Sequence, residues 1–172
     1  MGAGGAMDKF KNFLGSGFGL GLMPVVPGSF GALPGLALHI ALWWCAAKFG
    51  WGDLAIRAGC LAGAVAASAV HYWLTPWAQA YWNDPDPRHF VLDEIVGYLF
   101  VPVFAWPIAK FEYILLGFVL FRIFDAIKLP GARYIDRNIH TASGVLFDDV
   151  VSAAYSAVAL SAVMYFYPQG VL

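Results

Sequence analysis

The chain has 172 residues, of which 60% are hydrophobic and only 12% charged, with a mean hydropathy of +0.68. That balance excludes a water-soluble domain of this length, which would lack the polar side chains to cover its surface, and identifies a membrane protein. A formal net charge of −1 argues against a nucleic-acid or other polyanionic partner, and Cys45 and Cys60, each within an apolar run and without metal-ligand spacing, read as packing residues.

In chain order, residues 1–14 form a short segment without the charged, apolar and small-residue regions of a signal peptide. Residues 15–35, GSGFGLGLMPVVPGSFGALPG, hold too many breakers for a plain helix and read as a loop or re-entrant segment. Ser29 and the backbone N–H groups around Gly28 are candidates for a phosphate cradle there, although such a stretch is as readily a turn at a membrane surface.

Five apolar segments follow, each near the roughly 17 to 25 residues that cross a bilayer. They cover residues 30–47, 55 or 58–75, 90–108, 113–127 and 145–166. The second has Arg57 close enough to its start to snorkel, the third begins with Asp93 and Glu94, the fourth ends with Arg122 and Asp125, and the fifth begins with Asp148 and Asp149. No repeat, low-complexity tract or linker divides the chain, so the expectation is a single all-α domain, 1–172, built as an integral membrane bundle of about five spans.

Threading the loops puts Lys9, Lys11, Arg88, Lys128, Arg133 and Arg137 on one side of the membrane and Lys48 and Lys110 on the other. The positive-inside rule then places the N-terminus, residues 1–14 included, in the cytoplasm. The same threading gathers every charge within the spans except Arg57 into one layer at the cytoplasmic surface. An ionisable group in hydrocarbon costs about 2.5 to 3.5 kcal/mol unless paired, hydrated or bound to an ion. Asp93, Glu94, Asp125, Asp148 and Asp149 outnumber Arg122 and Lys128 in this layer, so pairing among themselves cannot neutralise them; a divalent cation such as Mg²⁺ can.

Each motif has a plain structural alternative. In FRIFDAIKLP, Arg122 and Asp125 share a helix face and Lys128 stands at the helix end, which suits either a phosphate grip or a structural ion pair with a snorkelling lysine. In each acid pair, one residue can cap a helix N-terminus while the other binds a ligand. His39 and His71 read as packing groups, whereas His89 and His140 lie near the acidic layer. The loop RYIDRNIH adds Arg137 on the same surface, where it can meet a phosphate or simply anionic headgroups.

Four ordered blocks, GFGLGLMPVVPGSFGALPG, VLDEIVG, FVLFRIFDAIKLPGARYIDRNIH and GVLFDDVVSA, make the chain resemble the phosphatidylglycerophosphatase A family of bacterial membrane lipid phosphatases from about residue 15 to its end. The resemblance implies Mg²⁺-dependent hydrolysis of phosphatidylglycerophosphate to phosphatidylglycerol and phosphate at the inner, cytoplasmic membrane. The acidic blocks of the family fall on Asp93, Glu94, Asp125, Asp148 and Asp149, its basic positions on Arg122, Lys128 and Arg137, and its loop on Pro27, Gly28 and Gly31. Where relatives tend to read Pro-Gly-Thr-x-Gly-Ser, this chain keeps a hydroxyl at Ser29 and loses one at Ala32. The expected arrangement has Glu94, Asp148 and Asp149 holding Mg²⁺, with Asp93 or Asp125 as a further ligand or base. Arg122, Lys128, Arg137, Ser29 and Gly28 meet the phosphate. Attack by water or by an aspartate both remain open. The rivals are a phosphatase for another lipid phosphate, and a transporter or ion-binding protein; a transporter would set its charges near the bilayer midplane or along a pore.

Overall fold

The computed structural model describes residues 5–105, 107, 108 and 110–170. Residues 1–4 of the expected N-terminal segment, Trp106 within the third expected span, and residues 109, 171 and 172 lie outside the described residues. All regular structure among the described residues is helical: α1 (Ala6–Gly15), α2 (Pro27–Gly31), α3 (Leu33–Phe49), α4 (Asp53–Trp82), α5 (Leu92–Phe104), α6 (Phe111–Ile127), α7 (Ala132–Asn138) and α8 (Ala142–Phe166).

Three helical stretches are long and apolar enough to cross a membrane: Pro27–Phe49, which joins α2 to α3, then α4 with 30 residues and α8 with 25. Their outward faces carry exposed apolar side chains such as Trp44, Val65, Trp73 and Val158, as a lipid-facing surface requires. The third and fourth expected spans are shorter. With 13 residues, α5 is about 20 Å long, and α6 with 17 is about 26 Å, against a hydrocarbon thickness of roughly 30 Å. Local chemistry sets these limits. Ala105 turns extended just before Pro107, and Lys128 ends α6 in the left-handed region just before Pro130.

The short α5 is the centre of the bundle. Tyr98, Leu99 and Val101 are almost fully buried, and α5 packs against α3, α4, α6 and α8. Small residues let the helices approach: Ala153, Ser156 and Ala157 on α8 are buried, and the two buried serines Ser152 and Ser156 satisfy their hydroxyls on the carbonyls of Asp148 and Ser152. At the far end of α5, Arg57 of α4 donates to the carbonyls of Val103 at 3.3 Å and Ala105 at 2.7 Å and pairs with Asp53. It is thus a partnered cap for carbonyls that the helix itself leaves open.

The Gly/Pro stretch folds. A turn through Gly17, Phe18 and Gly19, a 3₁₀ turn at Leu20–Leu22 and the five-residue α2 lead through Ala32 into α3. His39 bonds the Tyr98 hydroxyl at 3.0 Å, and His71 bonds the Ala142 carbonyl at 2.9 Å. Both therefore act as the expected packing groups.

Candidate active site

The N-terminal ends of α5 and α8 and the C-terminal end of α6 converge with the loop between α4 and α5 on a cavity of about 250 Å³. Its lining includes all five acids expected in the charged layer, Asp93, Glu94, Asp125, Asp148 and Asp149, together with Asp86. Two cations, Arg88 and Lys128, also line it. The hydropathy pattern thus places the charges in one layer, and the fold brings that layer to a single point.

Neither acid pair caps its helix. Thr141 fills the N-cap of α8, accepting from the Gly144 N–H at 3.3 Å, so Asp148 and Asp149 stand in the second turn and point inward. Asp93 and Glu94 fall in the first turn of α5, whose N-cap Val91 receives no side-chain bond. Both acids enjoy the positive end of the helix dipole, and because the helix begins just before them, both reach the site. Asp93, Asp125, Asp148 and Asp149 are each at most 8% exposed.

Lys128 ties the site together. Its Nζ contacts Asp148 Oδ2, reaches Asp136 Oδ1 at 3.2 Å and lies 3.7 Å from Asp125 Oδ1, joining α6, α7 and α8. Burial opposes its charge, but the facing Asp149, Asp148 and Asp125 outweigh that and hold the ammonium above its ordinary range. In the loop, desolvation of its carboxyl end raises Asp86 above the usual carboxylate range; Asp136, Asp84 and Asp125 add to the rise and Lys128 opposes it.

Arg122 stands behind the carboxylates rather than in the lining. Its Nη1 pairs with Asp125 Oδ2 at 2.8 Å and its Nε donates to Ser29 Oγ at 3.2 Å. Gly28 explains the close fit of α2 here. A Cβ at that position would stand 2.3 Å from Glu94 Oε1 and 2.6 Å from Arg122 Nη2, so only a glycine lets the short helix lie against both groups. The Ser29 N–H is bonded to the Val26 carbonyl. Gly28 and Ser29 therefore support Arg122 and Glu94 instead of lining an open cradle. Arg137 is exposed on α7 and is not part of the lining. Among the expected phosphate-binding residues, Lys128 alone lines the cavity. His140 lines an adjoining hollow with Asp136 and Asp148, while the His89 ring is bonded to the Gly21 carbonyl at 2.9 Å.

Asp86 and Arg88 escape the motif reading because they lie in the loop DPDPRHF, outside any span. The signal available in the sequence was a charged, proline-stiffened run placed directly before VLDEIVG.

Four buried carboxylate oxygens, Asp93 Oδ1, Glu94 Oε2, Asp148 Oδ1 and Asp149 Oδ2, have no hydrogen-bond partner among the described residues. Hard, unpartnered oxygens of this kind suit a hard divalent cation. Among the described residues, no three His, Cys, Asp or Glu groups already stand around one point at ligand spacing.

The profile of the family described as Phosphatidylglycerophosphatase A matches residues 13–164. A protein named phosphatidylglycerophosphatase A from Escherichia coli is 30% identical over 168 residues, covering 96% of this chain and 90% of that protein. Its namesake from Haemophilus influenzae is 30% identical over 154 residues, covering 90% and 88%. A Bacteroides thetaiotaomicron protein named "Putative phosphatidylinositol-3-phosphatase" is 32% identical over 152 residues, covering 86% and 89%. No solved structure matches the chain. A helical lipid phosphatase, a phosphoric monoester hydrolase, is the class that these relationships define. Within that class, the chain belongs to the phosphatidylglycerophosphatase A family.

Proposed function

We propose that this protein is a Mg²⁺-dependent phosphatidylglycerophosphatase that releases inorganic phosphate from phosphatidylglycerophosphate at the cytoplasmic face of the inner membrane. The observation that carries the proposal is the charge of the cavity: six carboxylates against two cations in the lining. A phosphomonoester dianion cannot approach such a wall unless a cation stands between them.

Glu94, Asp148 and Asp149 are the residues that would hold Mg²⁺, because each offers a buried oxygen without a partner. A few carboxylates are enough, since Mg²⁺ commonly keeps several water or phosphate ligands. The ion, when bound, neutralises charge on the phosphoryl oxygens.

The remaining steps belong to the chain. Lys128 reaches the lining and meets the phosphate from the α6 side while orienting Asp148. Arg122, held by Asp125 and Ser29, balances the charge of Glu94 from behind. Asp125 is engaged by Arg122 and faces Lys128, which leaves Asp93 Oδ1 as the free oxygen to take a proton from an attacking water. Phosphorus gains the water oxygen, the P–O ester bond breaks, and the leaving oxygen takes the proton from Asp93 to become the alcohol of the lipid product.

The acyl chains stay in the bilayer beside the bundle. We place five crossings, α3, α4, α5, α6 and α8, with α5 tolerated despite its length because protein rather than lipid surrounds it. The similarity to a relative named for a phosphoinositide keeps a second substrate in view, a lipid whose monoester sits on an inositol ring.

The test is phosphate release by protein reconstituted in vesicles containing phosphatidylglycerophosphate, phosphatidylinositol 3-phosphate or phosphatidic acid, with Mg²⁺ or with EDTA. Release that requires Mg²⁺ and favours the glycerophosphate lipid supports the proposal. Preference for the phosphoinositide replaces the substrate, release in EDTA removes the metal, and no release from folded protein overturns the activity.

A further inference from the structure

We infer that Arg88 is a specificity-determining residue that binds the phosphodiester of the substrate headgroup, so that the enzyme selects lipids carrying both a diester and a terminal monoester phosphate. The inference rests on the proposed function and adds a second phosphate contact to it.

Three cations surround the acidic cavity, and two are already engaged. Arg122 is held by Asp125 and Ser29, and Lys128 by Asp148 and Asp136. Arg88 lines the cavity, is exposed, and makes no hydrogen bond or ion pair among the described residues. A guanidinium left without a carboxylate, at the rim of a cavity otherwise rich in them, is available to an incoming anion. Its planar fork matches two oxygens of a phosphate.

The backbone that carries Arg88 is fixed. Asp84 Oδ1 accepts from the Asp86 N–H at 3.0 Å, the Gln79 amide donates to the Pro85 carbonyl at 2.7 Å, and the Phe90 N–H donates to the Pro87 carbonyl at 2.7 Å. Pro85 and Pro87 restrict the same run, and Phe90 is 2% exposed. The next residue, Val91, donates its N–H to the Gly15 carbonyl at 3.0 Å. The loop therefore holds the Arg88 Cα at a set place while its side chain remains free.

That place is the headgroup layer. The loop follows directly on the end of α4, where Trp77 stacks on Tyr81 and Trp82 meets both edge to face in the manner of an interfacial aromatic belt. Diester phosphates of membrane lipids lie in this layer, so a lipid whose monoester enters the cavity beside Asp93 and Asp149 leaves its diester at the rim, beside Arg88. Both phosphatidylglycerophosphate and phosphatidylinositol 3-phosphate carry the two groups; phosphatidic acid has a monoester only.

The experiment compares the full-length protein with Arg88→Gln and Arg88→Lys in vesicles containing phosphatidylglycerophosphate or phosphatidic acid, and measures kcat and KM for each. If phosphatidic acid is not turned over, its inhibition constant replaces KM. In R88Q the KM for phosphatidylglycerophosphate is expected to rise roughly tenfold with kcat little changed. R88K is expected to recover part of the loss, and the phosphatidic acid constant to stay at its wild-type value. An equal change for both lipids, a loss confined to kcat, or no change in either overturns the inference while wild-type turnover leaves the proposed function standing. A wild-type protein that releases phosphate from neither lipid overturns the functional reading itself.

Discussion

Gly97 on α5 lies directly under Asp149 on α8: a Cβ at Gly97 would stand 2.9 Å from the Asp149 Cβ and 2.7 Å from the ring of Phe121. The absence of a side chain there sets how closely the two acid-bearing helices pack. Gly97→Ala is expected to push α8 and Phe121 away from α5, at a cost of about 1–3 kcal/mol for overpacking. Thermal unfolding in detergent should shift down and phosphate release should fall with it.

Gly28→Ala makes a different prediction, because its close neighbours are the flexible ends of long side chains rather than a buried ring and a Cβ fixed to its helix. Glu94 and Arg122 can swing away from a new methyl group, so the fold is expected to survive with a smaller melting shift than that of Gly97→Ala. Phosphate release, in contrast, should drop roughly tenfold, which corresponds to about 1.4 kcal/mol at the transition state. Paired melting and activity measurements on both variants separate the two effects.

Ser29 orients Arg122 through the 3.2 Å bond to its Nε. Removing that acceptor in Ser29→Ala is worth about 1 kcal/mol, or roughly a fivefold loss of kcat. Ser29→Thr keeps the hydroxyl and should recover most of the activity. Steady-state phosphate release by the two variants checks this.

Arg57 is the control far from the chemistry. It satisfies the carbonyls of Val103 and Ala105 at the opposite end of α5 from the acids. Arg57→Ala is expected to destabilise the bundle by roughly 1–3 kcal/mol, as when buried acceptors lose their donor, while kcat per folded molecule stays close to wild type. Denaturant or thermal melts together with active-fraction assays test the separation.

Much of the site was legible in the sequence because the membrane raises the cost of a buried charge. Asp93, Glu94, Asp125, Asp148 and Asp149 stand out against apolar runs, and loop parity alone assigns them to one layer. The loop pair Asp86 and Arg88 lacked that contrast, since a charge outside a span is ordinary. Arg122 and Lys128 were recognisable as cations near the acids, but their division of labour was not. Which of them lines the cavity depends on Lys128 adopting a left-handed backbone at the end of α6 and on Gly28 bringing α2 against Arg122. The third expected span, 90–108, overran α5, because hydropathy continues past Phe104 through residues that Ala105 and Pro107 take out of the helix, whereas the fourth, 113–127, ends with α6 at Ile127. The Gly/Pro stretch hid a short helix because its tertiary contacts, rather than its propensity, hold it in place.

The central claim is that carboxylates from α5 and α8 form one metal-dependent phosphatase centre. The most direct measurement is phosphate release from phosphatidylglycerophosphate vesicles by Asp149→Asn across a Mg²⁺ titration, with wild-type folding confirmed by its melting profile. The account predicts loss of release at every Mg²⁺ concentration from a protein that still folds. Release at the wild-type rate with the wild-type Mg²⁺ dependence would contradict it.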